Sequence, residues 1–270
     1  MTIDCFQVIS RFIHHSSATF FSVTGSRALF HQKLLLVLDS SYNPPHEGHF
    51  NLIKQALSHF RKNHTNSDGA IGVLLQLSVQ NVDKSPKPAS FDKRLEMMLL
   101  MAQDVEEQLN CTCFVSLSKC GKFIDKSKDI FKNFEQPSIS INNNEKGFKI
   151  VYLLGFDTLV RLFDIKYYSP LSVEEALGNF MKSNELFCLT RSSSLDKDNE
   201  QVRWLENNKN VPLEWKNKIT LHHNSDEKLS NISSSNIRAL VLDGEIKSTQ
   251  SLVSNRIFDY INKNPKLFTQ

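Results

Sequence analysis

Apolar and polar positions along the chain follow two periods, and the blocks they form take turns. Residues 33–39, "KLLLVLD", are a nearly uninterrupted aliphatic run ending in Asp39, the pattern of a strand buried on both faces. After the Pro44-Pro45 turn, Phe50, Ile53, Leu57 and Phe60 fall at helical spacing over 47–61. "AIGVLLQL" (70–77), "TCFVSLS" (112–118), "FKIVYLLG" (148–155), "ELFCLTR" (185–191) and "KITLHH" (218–223) continue the strand series. Residues 90–109 open on Ser90 as a cap and run on as an apolar-faced helix. Two more helices are expected over 233–243 and 249–263. Strands alternating with helices predict βαβ units: an α/β, doubly wound, mostly parallel sheet with helices on both faces. Ligands collect at the carboxyl ends of such strands. Asp39, Gly155 and Arg191 stand at or just beyond strand ends and mark three candidate regions on one rim.

Two polar segments interrupt the pattern, "DKSKDIFKNFEQPSISINNNEKG" (125–147) and the shorter "SSSLDKDNE" (192–200). Both read as mobile surface loops, the first as an insertion that could meet a protein partner. Residues 1–32 read as an N-terminal helical extension. Its helix, over 4–14, would present Phe6, Ile9 or Ser10, and Ile13 to the domain. A mitochondrial presequence is the competing reading, supported by Arg11, Arg27 and several serines but opposed by Asp4. Residues 33–270 then form one domain carrying the insertion around 125–147.

Composition narrows the function classes. Hydrophobic residues at 40% and charged residues at 23% suit a soluble globular protein. A formal charge of +3 marks no nucleic-acid partner, so any basic site is local. No apolar run approaches the ~18 residues of a membrane span. The cysteines are Cys5, Cys111, Cys113, Cys120 and Cys188; an odd count without a secretory signal points to reduced thiols and an intracellular setting, the cytoplasm with the nucleus as a second location. Cys111, Cys113 and Cys120 lack C-x2-C spacing, which favours plain thiols over zinc.

The densest chemistry lies in "SSYNPPHEGH", Ser40 to His49. His46 and His49 stand three apart at a strand-to-helix turn. The spacing is one residue short of H-E-x-x-H, and no third ligand is evident, so a metal site is disfavoured. Two surface histidines are the plain alternative. A phosphate site uses the location better, because a helix N-terminus offers unpaired N–H groups and a partial positive charge. Imidazoles can donate to phosphate oxygens there. No Walker-type loop is present, so a P-loop NTPase is disfavoured.

These residues resemble the nucleotidyltransferase signature G-[ST]-F-[ND]-P-x-[HT]-x-G-H. "ISSSNIR" (232–238) resembles its partner I-S-S-T-x-I-R. Further segments are similar to the nicotinamide or nicotinate mononucleotide adenylyltransferase branch: "KPASFDKRLEMM" (87–98), "YLLGFDTLVRLF" (152–163), "LFCLTRSSS" (186–194) and "RIFDYINKNPKLF" (256–268). The resemblance spans about residues 33–268. The polar loops and the divergent first motif look like its yeast filamentation-associated subgroup.

The resemblance implies a Rossmann-like fold and transfer of AMP from ATP to NMN, or to nicotinate mononucleotide, with Mg²⁺ and release of pyrophosphate. By carry-over, His46, His49 and Arg238 are catalytic. The ATP site would comprise Ser40, Ser41 and Tyr42, both histidines, Ser233, Ser234 and Ser235, and Arg238. The mononucleotide would meet Lys84, Lys87, Arg94, Gly155, Asp157 and Arg191. No resident metal site is implied. Three positions depart from the pattern. Ser40 replaces the opening glycine, Ser235 replaces threonine, and the Trp expected after L-x-G-x-D-x-L is missing, with Tyr167 or Tyr168 as substitutes. Two alternatives stand beside the transferase: an ATP-binding or ATP-hydrolysing regulator on the same fold, and an adenylyltransferase for another phosphomonoester.

Overall fold

The structure, a computed structural model, describes residues 3–25, 32–63, 70–79, 88–134, 149–190, 195–224 and 226–269. Six strands arise where the aliphatic runs are: β2 (Gln32–Ser40), β3 (Ala70–Ser78), β4 (Cys113–Ser118), β5 (Lys149–Gly155), β6 (Asn184–Leu189) and β7 (Ile219–His222). A seventh, β1 (Phe20–Ser22), pairs antiparallel with β4. Three residues are too short a run to show in the hydrophobic pattern. The sheet order is β1-β4-β3-β2-β5-β6-β7, and every pair other than β1·β4 is parallel.

That order locates the active rim. The chain winds from β2 outward through β3 and β4, then returns to the other side of β2 as β5. The strand order therefore reverses between β2 and β5, where diverging connections leave a crevice at the strand ends. Both sheet faces are dry. Leu34, Leu36, Leu38, Val73 and Leu75 pack under α2 (Glu47–Asn63), α3 (Phe91–Leu109) and α11 (Asn255–Lys263). Leu35, Val37, Leu74 and Ile150 face the other layer, built from α4 (Phe123–Phe134), α5 (Phe156–Leu162) and α6 (Val173–Ser183). Among the described residues no helix is long and apolar enough to cross a membrane, and the five cysteines are thiols in no disulfide.

Two expectations need correction. The N-terminal helix α1 (Cys5–Ser10), capped by Asp4, continues as a single π-type turn to His15. It buries Cys5, Ile9 and Phe12 and leaves Phe6 69% exposed. Of the expected stripe, Ile9 and Ile13 do pack on the core, and Phe6 does not; Cys5 takes its place where α1 lies on α3, with Phe12 added. The polar run from 125 is not a loop throughout. Its first ten residues belong to α4, which buries Lys126, Ser127, Ile130 and Phe134 at helical spacing. Residues 135–147 lie outside the described residues. Residues 195–200 likewise open a helix, α7 (Leu195–Asn207).

Candidate active site

At the end of β2 the chain turns sharply into α2. Tyr42 has φ +44°, a left-handed conformation that an aromatic residue adopts only under constraint. The constraint is its side chain, which is fully buried and donates its hydroxyl to the Leu38 carbonyl at 2.6 Å. Burial, with the Asp39 charge nearby, pushes the Tyr42 phenol well above its ordinary value, so it stays a neutral anchor. The turn beyond it packs two imidazoles together, with ring centroids 3.8 Å apart and planes tilted by 37°.

The hydrogen bonds fix the His49 tautomer. The His46 backbone N–H donates to His49 Nδ1 at 3.2 Å, so in the neutral ring the proton sits on Nε2. Nε2 is 3.0 Å from Ser40 Oγ, to which it donates. Gly48 makes the packing feasible, since a Cβ there would come within 3.0 Å of the His46 ring. The expected helix N-terminal anion site is altered by this arrangement. The N–H groups of His46, Glu47, His49 and Phe50 already have acceptors, namely His49 Nδ1, the Leu252 carbonyl and, for the last two, the His46 carbonyl. Imidazole edges, more than helix N–H groups, face the cleft.

The second motif docks directly on this turn. Arg238, in α10 (Ser234–Leu242), donates from Nη1 to the Asn43 carbonyl at 2.7 Å and from Nη2 to Ser235 Oγ at 3.1 Å. Ser234 Oγ donates to the Pro44 carbonyl at 2.8 Å. Ser233 is the N-cap, accepting from the Asn236 N–H at 3.1 Å. Arg94 lies on the same side. Its Nε donates to the Ala89 carbonyl, and its guanidinium covers Phe91 at 5.1 Å. Burial and the nearby Arg238 charge lower Arg94 to about 10. Arg94, which the sequence reading gave to the mononucleotide, thus lies close enough to Arg238 to feel its charge, and it lines neither of the two cavities along the rim.

Two cavities meet along the rim. One of ≈ 170 Å³ is lined by His46, Gly48, His49, Gly155, Thr190 and Asn224. The other, of ≈ 500 Å³, is lined by Ser41, Phe123, Lys126, Arg161, Tyr167 and Tyr168. Asp39, Ser40 and Thr158 line both. Both tyrosines proposed to replace the missing Trp therefore reach the larger cavity. The two tryptophans do not line it: Trp204 packs on Phe156 and Trp215 on Phe163. Asp157 is exposed on the first turn of α5; its neighbour Thr158 reaches the cavities. Lys84, Lys87 and Arg191 lie outside the described residues.

Sequence reasoning missed Lys126. Its ammonium is 2.5 Å from Asp39 Oδ2, while Asp39 Oδ1 accepts from Ser78 Oγ at 3.0 Å. The one available signal was a lysine on the apolar stripe of α4. Thr158 and Thr190 lay inside segments that carried the resemblance but were given no role there, and Asn224 carried no signal.

The comparisons with known proteins agree with this geometry. The cytidylyltransferase-like family model matches residues 37–240. A protein of Schizosaccharomyces pombe named "Putative nicotinamide mononucleotide adenylyltransferase" is 30% identical over 234 residues, covering 85% of this chain and 84% of that one. A Plasmodium falciparum nicotinic acid mononucleotide adenylyltransferase complexed with NaAD superposes with a TM-score of 0.56 at 17% identity, over 88% of this chain and 98% of that one. The same enzyme complexed with APC gives 0.54 at 15% identity, with the same coverage. The two structures establish the shared fold, and the family match and the yeast relative establish kinship. This chain belongs to the cytidylyltransferase-like family, as a nucleotidyltransferase of the NMN adenylyltransferase-like kind.

Proposed function

We propose that the protein transfers AMP from ATP to NMN, giving NAD⁺ and pyrophosphate. The observation that carries this reading is the docking of α10 on the histidine turn through Arg238–Asn43 and Ser234–Pro44. It braces from behind the turn whose two imidazoles, with the Ser40, Thr158 and Thr190 hydroxyls, line the small cavity. That cavity shares Asp39, Ser40 and Thr158 with a larger one that has aromatic walls, while Arg238 and Ser234 line neither. Donors of that kind suit a phosphate chain. The aromatic cavity suits a ring-bearing acceptor.

The reaction needs no enzyme nucleophile. A phosphate oxygen of the mononucleotide attacks the α-phosphorus of ATP, and the bond to pyrophosphate breaks. The chain's residues hold the two phosphates in line, which can account for ~7–11 kcal/mol of barrier lowering, and stabilise the charge that develops. His49 Nε2–H turns from Ser40 toward a phosphate oxygen; Arg238 supports the leaving pyrophosphate. The donors around the small cavity fit phosphate better than a metal cage, since Asp39, the carboxylate on both linings, is held by Lys126 and Ser78. Mg²⁺ would therefore enter with ATP as part of the substrate and neutralise phosphate charge.

Purified protein with ATP, Mg²⁺ and NMN should yield NAD⁺ and pyrophosphate in equal amounts. No product from either NMN or nicotinate mononucleotide would overturn the proposal. ATP consumption without dinucleotide would favour the regulatory reading instead.

A further inference from the structure

Lys126 is an unusual residue for the inward face of a helix. It is 3% exposed, and its ammonium also lies 5.2 Å over the Phe123 ring. α4 is already anchored by Ile130 and Phe134, and a buried ion pair adds little net stability over apolar groups of similar size. The pair's position suggests another role. Asp39 is one of three residues shared by the two cavities, and Lys126 lines the larger one.

Consider what must meet at that junction under the proposed function, on which this inference rests. The acceptor's phosphate has to come from the larger cavity up to the α-phosphate of ATP. On the ATP side it finds the histidine turn. On the acceptor side it meets the Asp39 carboxylate, whose like charge would repel it in a half-dry site. Other cations line the larger cavity: Lys122, Arg161 and Lys166. All three are exposed, and Lys166 is paired with Asp164 at 3.0 Å, so water and salt weaken their pull. Among the described residues, Lys126 is the buried cation of that lining. Its ammonium has three donors, and Asp39 Oδ2 takes one of them.

We infer that Lys126 binds the attacking phosphate of the mononucleotide, with Asp39 and Ser78 holding its ammonium at the junction of the two cavities. Asp39 then acts as a positioning residue: it holds the buried ammonium aimed at the junction before substrate arrives. The role falls on a residue outside every motif recognised in the sequence.

Steady-state kinetics on the full chain, with ATP and NMN varied separately, test this. Lys126→Met should raise the KM for the mononucleotide about 10- to 100-fold, the scale of a lost charge-assisted hydrogen bond. The KM for ATP should stay within about twofold, and Lys126→Arg should restore most of the acceptor affinity. Should Lys126→Met fold poorly because Asp39 is left buried without its cation, the pair Asp39→Asn with Lys126→Met removes both charges and carries the same expectation. An unmoved acceptor KM, an equal rise in both KM values, or an arginine variant as poor as methionine would overturn the assignment. Wild-type protein that makes no dinucleotide would instead overturn the proposed function, and this inference with it.

Discussion

His49 uses both ring nitrogens before any substrate is present. Nδ1 accepts from the His46 N–H, and Nε2 donates to Ser40 Oγ. A phosphate oxygen reaching Nε2 replaces a neutral hydroxyl with a charged acceptor, the stronger partner. His49→Ala should therefore lower kcat by about 10²–10³-fold, as for loss of one preorganised donor, with an unchanged circular dichroism spectrum. Activity that survives this change would sink the reading of the turn. Gly48→Ala tests the packing beside it, because the new methyl would sit 3.0 Å from the His46 ring. Transfer should fall while melting temperature moves little, and a fully active variant would show that His46 can shift at no cost. At this scale the sequence was informative where a motif fixes spacing: His46, His49, Ser234 and Arg238 all converge. It marked Asp39 at a strand end but was silent on Lys126 and on their meeting, which depends on a helix crossing a sheet face 87 residues along the chain.

Elements were legible in proportion to how plainly their pattern states one period. The six aliphatic strands appear close to where the runs place them because a strand buried on both faces needs apolar residues throughout. α4 was obscured by Asp125, Lys128 and Lys132, which occupy the solvent side of an amphipathic helix, and by Lys126 on its buried side. Its apolar stripe is sparse but buried: Ile130 is fully covered and Phe134 is 5% exposed, the latter edge-on to Phe20 of β1 at 5.3 Å. Phe134→Ala should thus cost about 3–5 kcal/mol in urea unfolding, as for large aromatic truncations in cores. A cost below about 0.5 kcal/mol, typical of surface sites, would return this stretch to the surface loop first expected. β1 escaped notice for the opposite reason: its three residues state no period at all.

The whole molecule is a sheet whose strand order reverses between β2 and β5, and its two ends are held by different chemistry. Away from the active turn, α2 meets β6 and β7 through a ring cluster rather than through aliphatic side chains. His222 stacks on Phe187 at 5.5 Å, and His59 lies 5.5 Å from Phe187 and 6.1 Å from His222. Burial lowers the His59 pKa, and the Lys62 charge adds to it. Burial likewise lowers His222, helped by His59, His223 and Lys62. The unfolded imidazoles take protons near their ordinary 6.5, whereas the folded ones resist until the pH is lower. Just below 6.5 the unfolded state therefore binds more protons, so stability falls as pH drops through that window and is whole above it. The melting temperature should be lower at about pH 5.5 than at about pH 7.5. In the His59→Gln, His222→Gln double variant that drop should shrink, because neither position can then take a proton. An undiminished drop would place the acid sensitivity elsewhere in the molecule and leave this cluster as packing alone.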